Sequence, residues 1–255
     1  VAEFHNNLGT VYLELDQVEM ASRHLNTALQ LQPDYAEAQY NLANLLRNEG
    51  KFEEAAAHYR KAIELKPDYA AAYNNLGLTL HSQGKPAEAV AHYQKALALM
   101  PAYAEAHNNL GITLADQGKL AEAVAHYQKA LALKPDFAEA HGSLGNALKD
   151  QGRLEEAVVQ YRRVLALRPD LAEAESQLMH QLQHLCEWSG LEDLFDRQRK
   201  LVREQSHPKI PPFTLLAIPS SAAEQLVCAR IHAASRFSSF AALREQFGFN
   251  FVRAS

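Results

Sequence analysis

The stretch AEAHNNLGITLADQGKLAEAVAHYQKALALKPDF, from Ala104 to Phe137, is one copy of a unit that the chain repeats every 34 residues. Pro33, Pro67, Pro101, Pro135 and Pro169 hold that step, and so do Leu8, Leu42, Leu76, Leu110 and Leu144. A small residue recurs at Gly9, Ala43, Gly77, Gly111 and Gly145, and alanine at Ala21, Ala55, Ala89, Ala123 and Ala157. A large side chain returns at Leu25, Tyr59, Tyr93, Tyr127 and Tyr161, and a small one at Ala28, Ala62, Ala96 and Ala130, with Val164 closing that column. Self-similarity at such a period takes precedence over other readings, because a single short unit cannot bury its apolar face and must stack on its neighbours.

Within the unit the spacing is helical. Leu76 and Leu80 lie four apart on one face, and Gly77 beside them lets a partner helix approach closely. In the second half Ala89, Tyr93 and Ala96 share a face, so a ring sits between two small residues that admit a neighbour. Gly50, Gly84, Gly118 and Gly152 follow the first helix, where a left-handed residue ends it, and the proline stops the second. Asp16 stands at that glycine position in the first unit, which predicts a looser turn. These columns resemble the tetratricopeptide (TPR) repeat, which implies an all-α chain of helix pairs wound into a right-handed superhelix with the first helices on its concave side.

Five units follow, 2–35, 36–69, 70–103, 104–137 and 138–171. Residues 172–205 keep the register weakly, with Leu178 and Leu182 in place but Met179 at the glycine position and no closing proline. They read as a degenerate capping repeat. Ser189 and Glu192 form a capping box for its second helix. Residues 206–255 open with His207-Pro208, Pro211-Pro212 and Pro219, a linker, before Ser221 and Glu224 cap a further helix.

Composition narrows the function. Of 255 residues, 30 are acidic and 25 basic, for a formal charge of -5, so the excess of Lys and Arg that phosphate-backbone binding needs is missing. The apolar runs fall well short of the roughly 20 residues that span a bilayer. Nucleic acid and membrane are therefore not expected as partners. Cys186 and Cys228 form no Cys-x-x-Cys pair, which fits a reducing, cytoplasmic setting. The chain opens at Val1 already inside a helical pattern, which reads as a piece of a longer protein.

The candidate site is a row of carboxamides, Asn7, Asn41, Asn75 and Asn109, followed by Ser143. An asparagine both donates and accepts, so a row of them can pair with the N–H and C=O groups of an extended peptide whatever its side chains. The other reading is that these residues stabilise helix-to-helix contacts. The peptide ladder is preferred because asparagine is a poor helix former and an interior helical row of it needs a reason. A second row, Glu3, Glu37, Glu105 and Glu139, broken by Ala71, reads as helix-dipole chemistry. A basic clamp for carboxylate-ended peptides is argued against by the rows beside the ladder, Asn6, Tyr40, Asn74, Asn108 and Gly142, and Thr10, Asn44, Leu78, Ile112 and Asn146. His24, His58, His92 and His126 recur one unit apart, which gives single ligands and no cluster; His180 and His184 lie four apart without a supporting motif. No phosphate loop, nucleophile elbow or zinc-protease motif is present, so neither catalytic residues, cofactor nor metal is expected.

Beyond the repeats, Leu185-Cys186-Glu187-Trp188-Ser189, then Pro211-Pro212-Phe213-Thr214-Leu215-Leu216-Ala217, Ser221-Ala222-Ala223-Glu224-Gln225-Leu226 and Ala229-Arg230 resemble, in that order, the junction to the catalytic region in bacterial relatives of O-GlcNAc transferase. The resemblance covers residues 1 to about 235. It implies a substrate-recognition arm that captures polypeptide through an asparagine ladder, here Asn7, Asn41, Asn75 and Asn109 with Ser143 a departure. The parent would be a UDP-GlcNAc-dependent protein O-glycosyltransferase whose lobes this chain lacks. The alternative is a stand-alone scaffold that binds protein clients, or a second copy as a homodimer, through its convex face.

Overall fold

The computed structural model describes residues 1–187 together with 191 and 194–196. Among the described residues the elements are all helices: α1 (Ala2–Glu14), α2 (Val18–Leu31), α3 (Ala36–Asn48), α4 (Phe52–Leu65), α5 (Ala70–Ser82), α6 (Pro86–Leu99), α7 (Ala104–Asp116), α8 (Leu120–Leu133), α9 (Ala138–Asp150), α10 (Leu154–Leu167) and α11 (Ala172–His184). The capping box at Ser189, the Pro-rich segment and the helix expected after Ser221 lie outside the described residues.

The turn chemistry sets this alternation. Each first helix ends in a left-handed residue, with φ of 77° at Gly50, 72° at Gly84, 75° at Gly118 and 76° at Gly152. The following amide reaches back five residues, Lys51 N–H to Leu46 C=O at 2.9 Å and Lys85 N–H to Leu80 C=O at 2.9 Å, which satisfies carbonyls that the helix end would orphan. Asp16 adopts the same conformation, φ 56°, and its turn closes with the same bond, Gln17 N–H to Tyr12 C=O at 2.8 Å. The expected looser turn is thus absent; the cost appears instead as an L side chain held at positive φ. Cys186, φ 53°, fills the same register one unit beyond Gly152, and Glu187 N–H closes its turn on Leu182 C=O at 2.9 Å.

By its contacts the chain divides into two compact units, Val1–Gln151 and Gly152–Ser255. In the first, α2, α4, α6 and α8 each pack between their own first helix and the next one, and α1, α3, α5, α7 and α9 also touch in sequence to form a continuous layer. The seams are tight because the columns complement each other. Tyr59, Tyr93 and Tyr127 are at most 2% exposed, and the alanines flanking them, Ala55 and Ala62, Ala89 and Ala96, Ala123 and Ala130, are fully buried. Gly77 and Gly111 face the rings directly: a Cβ there would stand 2.8 Å from Tyr93 Cε1 and 2.6 Å from Tyr127 Cε1. In the second unit α10 packs on α11, and Ala157, Tyr161 and Val164 of α10, Leu178, Met179 and Leu182 of α11, and Leu191 and Phe195 are all buried.

Candidate functional site

The carboxamide row lies on the layer of first helices, and the structure shows what its members do there. Asn41 Nδ2 donates to Asn6 Oδ1 at 2.9 Å and to Thr10 Oγ1 at 3.2 Å. Asn75 Nδ2 donates to the Tyr40 hydroxyl at 3.0 Å and to Asn44 Oδ1 at 2.9 Å, while its own Oδ1 accepts from Asn74 Nδ2 at 3.0 Å. Asn109 Nδ2 donates to Asn74 Oδ1 at 3.1 Å. Asn7 is exposed and accepts a long bond from Asn6 at 3.4 Å. Each asparagine from the second repeat to the fourth therefore reaches one repeat back, to the residue 35 positions earlier, and Asn41 and Asn75 also reach the one 31 positions earlier.

Two columns read from the sequence only as evidence against a basic clamp thus prove to be the acceptors of this network. The signal for them was available as a register: wherever Asn recurs at one column, a polar residue one position before it and another three positions after it in the preceding unit can satisfy both amide hydrogens. Buried hydroxyls support the same network. Tyr59 donates to Asn44 Oδ1 at 2.6 Å, and burial pushes the Tyr59, Tyr93 and Tyr127 hydroxyls above the ordinary tyrosine range, which keeps them protonated donors.

The pattern fails at the fifth repeat, for an identifiable reason. Ser143 is too short to reach back as an asparagine does. Asn108 Oδ1, the atom equivalent to the acceptors on Asn6 and Asn74, is left buried with no hydrogen-bond partner, in a residue only 5% exposed.

The acidic row makes ion pairs within its own repeats, Glu37 with Lys66 at 3.1 Å and Glu105 with Lys134 at 3.3 Å, and those lysines stack over the Tyr69 and Phe137 rings. The histidines of the second helices pair across to the first helices. His5 and His24 approach through Nδ1 at 2.9 Å, His107 and His126 at 3.0 Å, and His58 meets Gln39 Oε1 at 2.6 Å. Burial, with Lys129 nearby, holds His107 and His126 below the usual histidine range, which suits a neutral pair sharing one hydrogen. His180 and His184 stand with their Nε2 atoms 3.3 Å apart. Among the described residues no three His, Cys, Asp or Glu side chains gather as a metal would require, and no helix is long and apolar enough to cross a membrane. On the second-helix side, a cleft of about 370 Å³ is lined by Leu97, Pro101, His107, Lys129, Ala132 and Leu133.

Repeat geometry of this kind defines a solenoid scaffold, and comparison with known families assigns it. TPR repeat models match residues 9–48 and 43–84, and tetratricopeptide repeat models match residues 68–136 and 108–172. The chain belongs to the TPR proteins, a repeat scaffold for protein–protein interaction or peptide binding. Curated protein sequences give no match. Among solved structures the chain is similar to the type IV pilus biogenesis factor PilW, with 25% identity and TM-score 0.72 over 78% of this chain and 93% of that one. It shares its fold with PilF of Pseudomonas aeruginosa at 22% identity and TM-score 0.71, over 78% of this chain and 91% of that one. It is also similar to YrrB, described as a TPR protein with an unusual peptide-binding site, at 26% identity and TM-score 0.55, over 68% of this chain and 89% of that one.

Proposed function

We propose that the first-helix face of the repeats captures extended polypeptide, with the asparagine row supplying backbone contacts, and that the chain serves as the substrate-recognition arm of an O-GlcNAc transferase-like protein. The observation that carries the first part is the fixed orientation of the row. The amide nitrogens of Asn41, Asn75 and Asn109 are tied across the repeats, and the carbonyl oxygens of Asn41 and Asn109 accept from no donor among the described residues. Held carbonyls of this kind accept N–H groups from a strand laid along the face, each bond contributing roughly 0.5 to 1.5 kcal/mol net. Weak, sequence-tolerant capture suits an arm that raises the local concentration of substrate near a separate catalytic site. The structural likeness to YrrB supports peptide recognition by this repeat architecture. The tie to a glycosyltransferase rests on the order of segments from Leu185 onward.

Fluorescence anisotropy with a panel of labelled, extended Ser/Thr-rich peptides tests the reading, using the wild-type chain and an N41A/N109A variant checked for folding. Binding across the panel that falls in the variant is expected; absence of binding to every peptide defeats the proposal. UDP should leave the melting temperature of this chain unchanged, and a clear rise would show a nucleotide site within it. The cleft beside Lys129 favours the second reading, a scaffold that docks clients through its second helices, and peptide binding indifferent to the asparagines would select it.

A further inference from the structure

The row is uniform in sequence from Asn7 to Asn109 but not in what its members leave available. A carboxamide has two N–H hydrogens. Both hydrogens of Asn41 are engaged, by Asn6 and Thr10, and both of Asn75, by Tyr40 and Asn44. Asn75 Oδ1 is engaged as well, by Asn74. Asn109 differs because the column that supplies the second acceptor, Thr10 and then Asn44, turns apolar at Leu78. Its Nδ2 makes one bond, to Asn74, so one hydrogen and the whole of Oδ1 stay open on a half-buried side chain. Next to it, Asn108 Oδ1 is buried without a donor.

The same register places Leu78 against Asn109, as Asn44 lies against Asn75, and Ile112 follows Asn109 by three residues on the same helical face. Leu78 and Ile112 are both half-buried. Open donor, open acceptor and two aliphatic side chains thus coincide in the fourth repeat and in no other repeat of the row.

We infer that peptide recognition is concentrated at the fourth repeat, where Asn109 makes a paired N–H and C=O contact to the backbone of one peptide residue whose aliphatic side chain rests on Leu78 and Ile112. This rests on the peptide-binding reading above and assigns it a ligand class, extended segments with a central Val, Ile or Leu. Asn41 contributes an acceptor at most, and Asn75 holds the repeats together without touching ligand.

The experiment is anisotropy with two labelled Ser/Thr-rich peptides that differ only in a central Leu or Ala, against wild type, N75A, N109A and L78N, with a thermal melt of each. Two lost backbone bonds correspond to about tenfold in affinity. N109A is expected to weaken the Leu peptide about tenfold, whereas N75A lowers the melting temperature more than N109A does but leaves affinity within about threefold. L78N restores the missing acceptor, so it engages the last hydrogen of Asn109 and removes an aliphatic contact. It should weaken the Leu peptide about tenfold without lowering the melting temperature, and should erase the preference for Leu over Ala. If wild type binds neither peptide, the peptide-binding reading itself falls. If wild type binds but N109A and L78N match it, or N75A loses as much affinity as N109A while still folded, the inference falls alone.

Discussion

Replacing Gly77 by alanine puts the packing of the repeat to a quantitative test. The new Cβ would lie 2.8 Å from Cε1, 2.9 Å from Cδ1 and 3.0 Å from Cζ of Tyr93, where ordinary contact begins at 3.4 Å. The ring must retreat by roughly half an ångström or more, yet it is 1% exposed and flanked by Ala89 and Ala96, both fully buried. Overpacking of this kind costs about 1–3 kcal/mol. Against it stands the gain from removing a mid-helix glycine, about 1 kcal/mol. The net expectation is a loss of about 1 kcal/mol, or a fall in melting temperature of about 2–4 °C. The second repeat shows that the cost is finite, because Ala43 already occupies this column opposite Tyr59, and both are fully buried. G77V, which adds two more methyl groups against the same ring, should lose about 3 kcal/mol or more. Urea titration followed by circular dichroism measures both variants, and a G77A/Y93L double variant should recover most of the loss, since removing the ring removes the clash. A G77A protein stabilised by the full propensity gain would refute the claim that the Tyr93 ring is wedged against this backbone.

The remaining predictions concern the turns, the interrupted network and the histidines. D16G should raise stability by about 0.5–1 kcal/mol by removing an L side chain from φ 56°, read as an increase in urea midpoint; a decrease would show that the aspartate stabilises its turn by a contact of its own. S143N should add about 1–2 kcal/mol by giving the buried Asn108 carbonyl the donor that Asn41 and Asn109 supply to Asn6 and Asn74, and a melting temperature no higher than wild type counts against it. Burial holds His58, His92, His107 and His126 below their ordinary value of 6.5, so the unfolded chain binds more protons than the folded one in mild acid. Stability from these groups is fully present above about pH 6.5 and is lost as pH falls through their folded-state values, so the urea midpoint at pH 5.5 should lie below that at pH 7.5. An equal or higher midpoint at pH 5.5 would overturn the neutral, buried pairing.

The repeat, its helices and its turns were legible in the sequence because each is enforced locally and then repeated. A glycine that ends a helix does so through its own φ, and six columns in phase make the same demand on every unit. The exception is informative: Asp16 suggested a loose turn, but the 6→1 bond at 2.8 Å closes it as firmly as the glycines do, because the neighbouring helices impose the geometry. The asparagine row was legible as a row and not as a network. Its partners lie 35 and 31 residues back, a separation at which only the stacking of one repeat on the next decides which side chains meet. The histidines were read as isolated by a whole repeat along the chain, whereas each meets its partner within its own repeat, 19 residues away for His24 and for His126.

What the sequence determined by itself is therefore the unit: its period, its two helices, the left-handed turn between them and the ring-on-glycine seam, all consequences of short-range sterics and of apolar spacing. What the tertiary structure decided is how identical-looking residues differ. Asn41, Asn75 and Asn109 share a column and a chemistry, yet Leu78 in place of a polar neighbour leaves Asn109 with an open hydrogen. Ser143 in place of an asparagine leaves Asn108 without a donor. Hydrogen-bond saturation belongs to the contact between repeats, and a side chain's remaining capacity to bind a ligand is set by what its neighbours one repeat away have already taken.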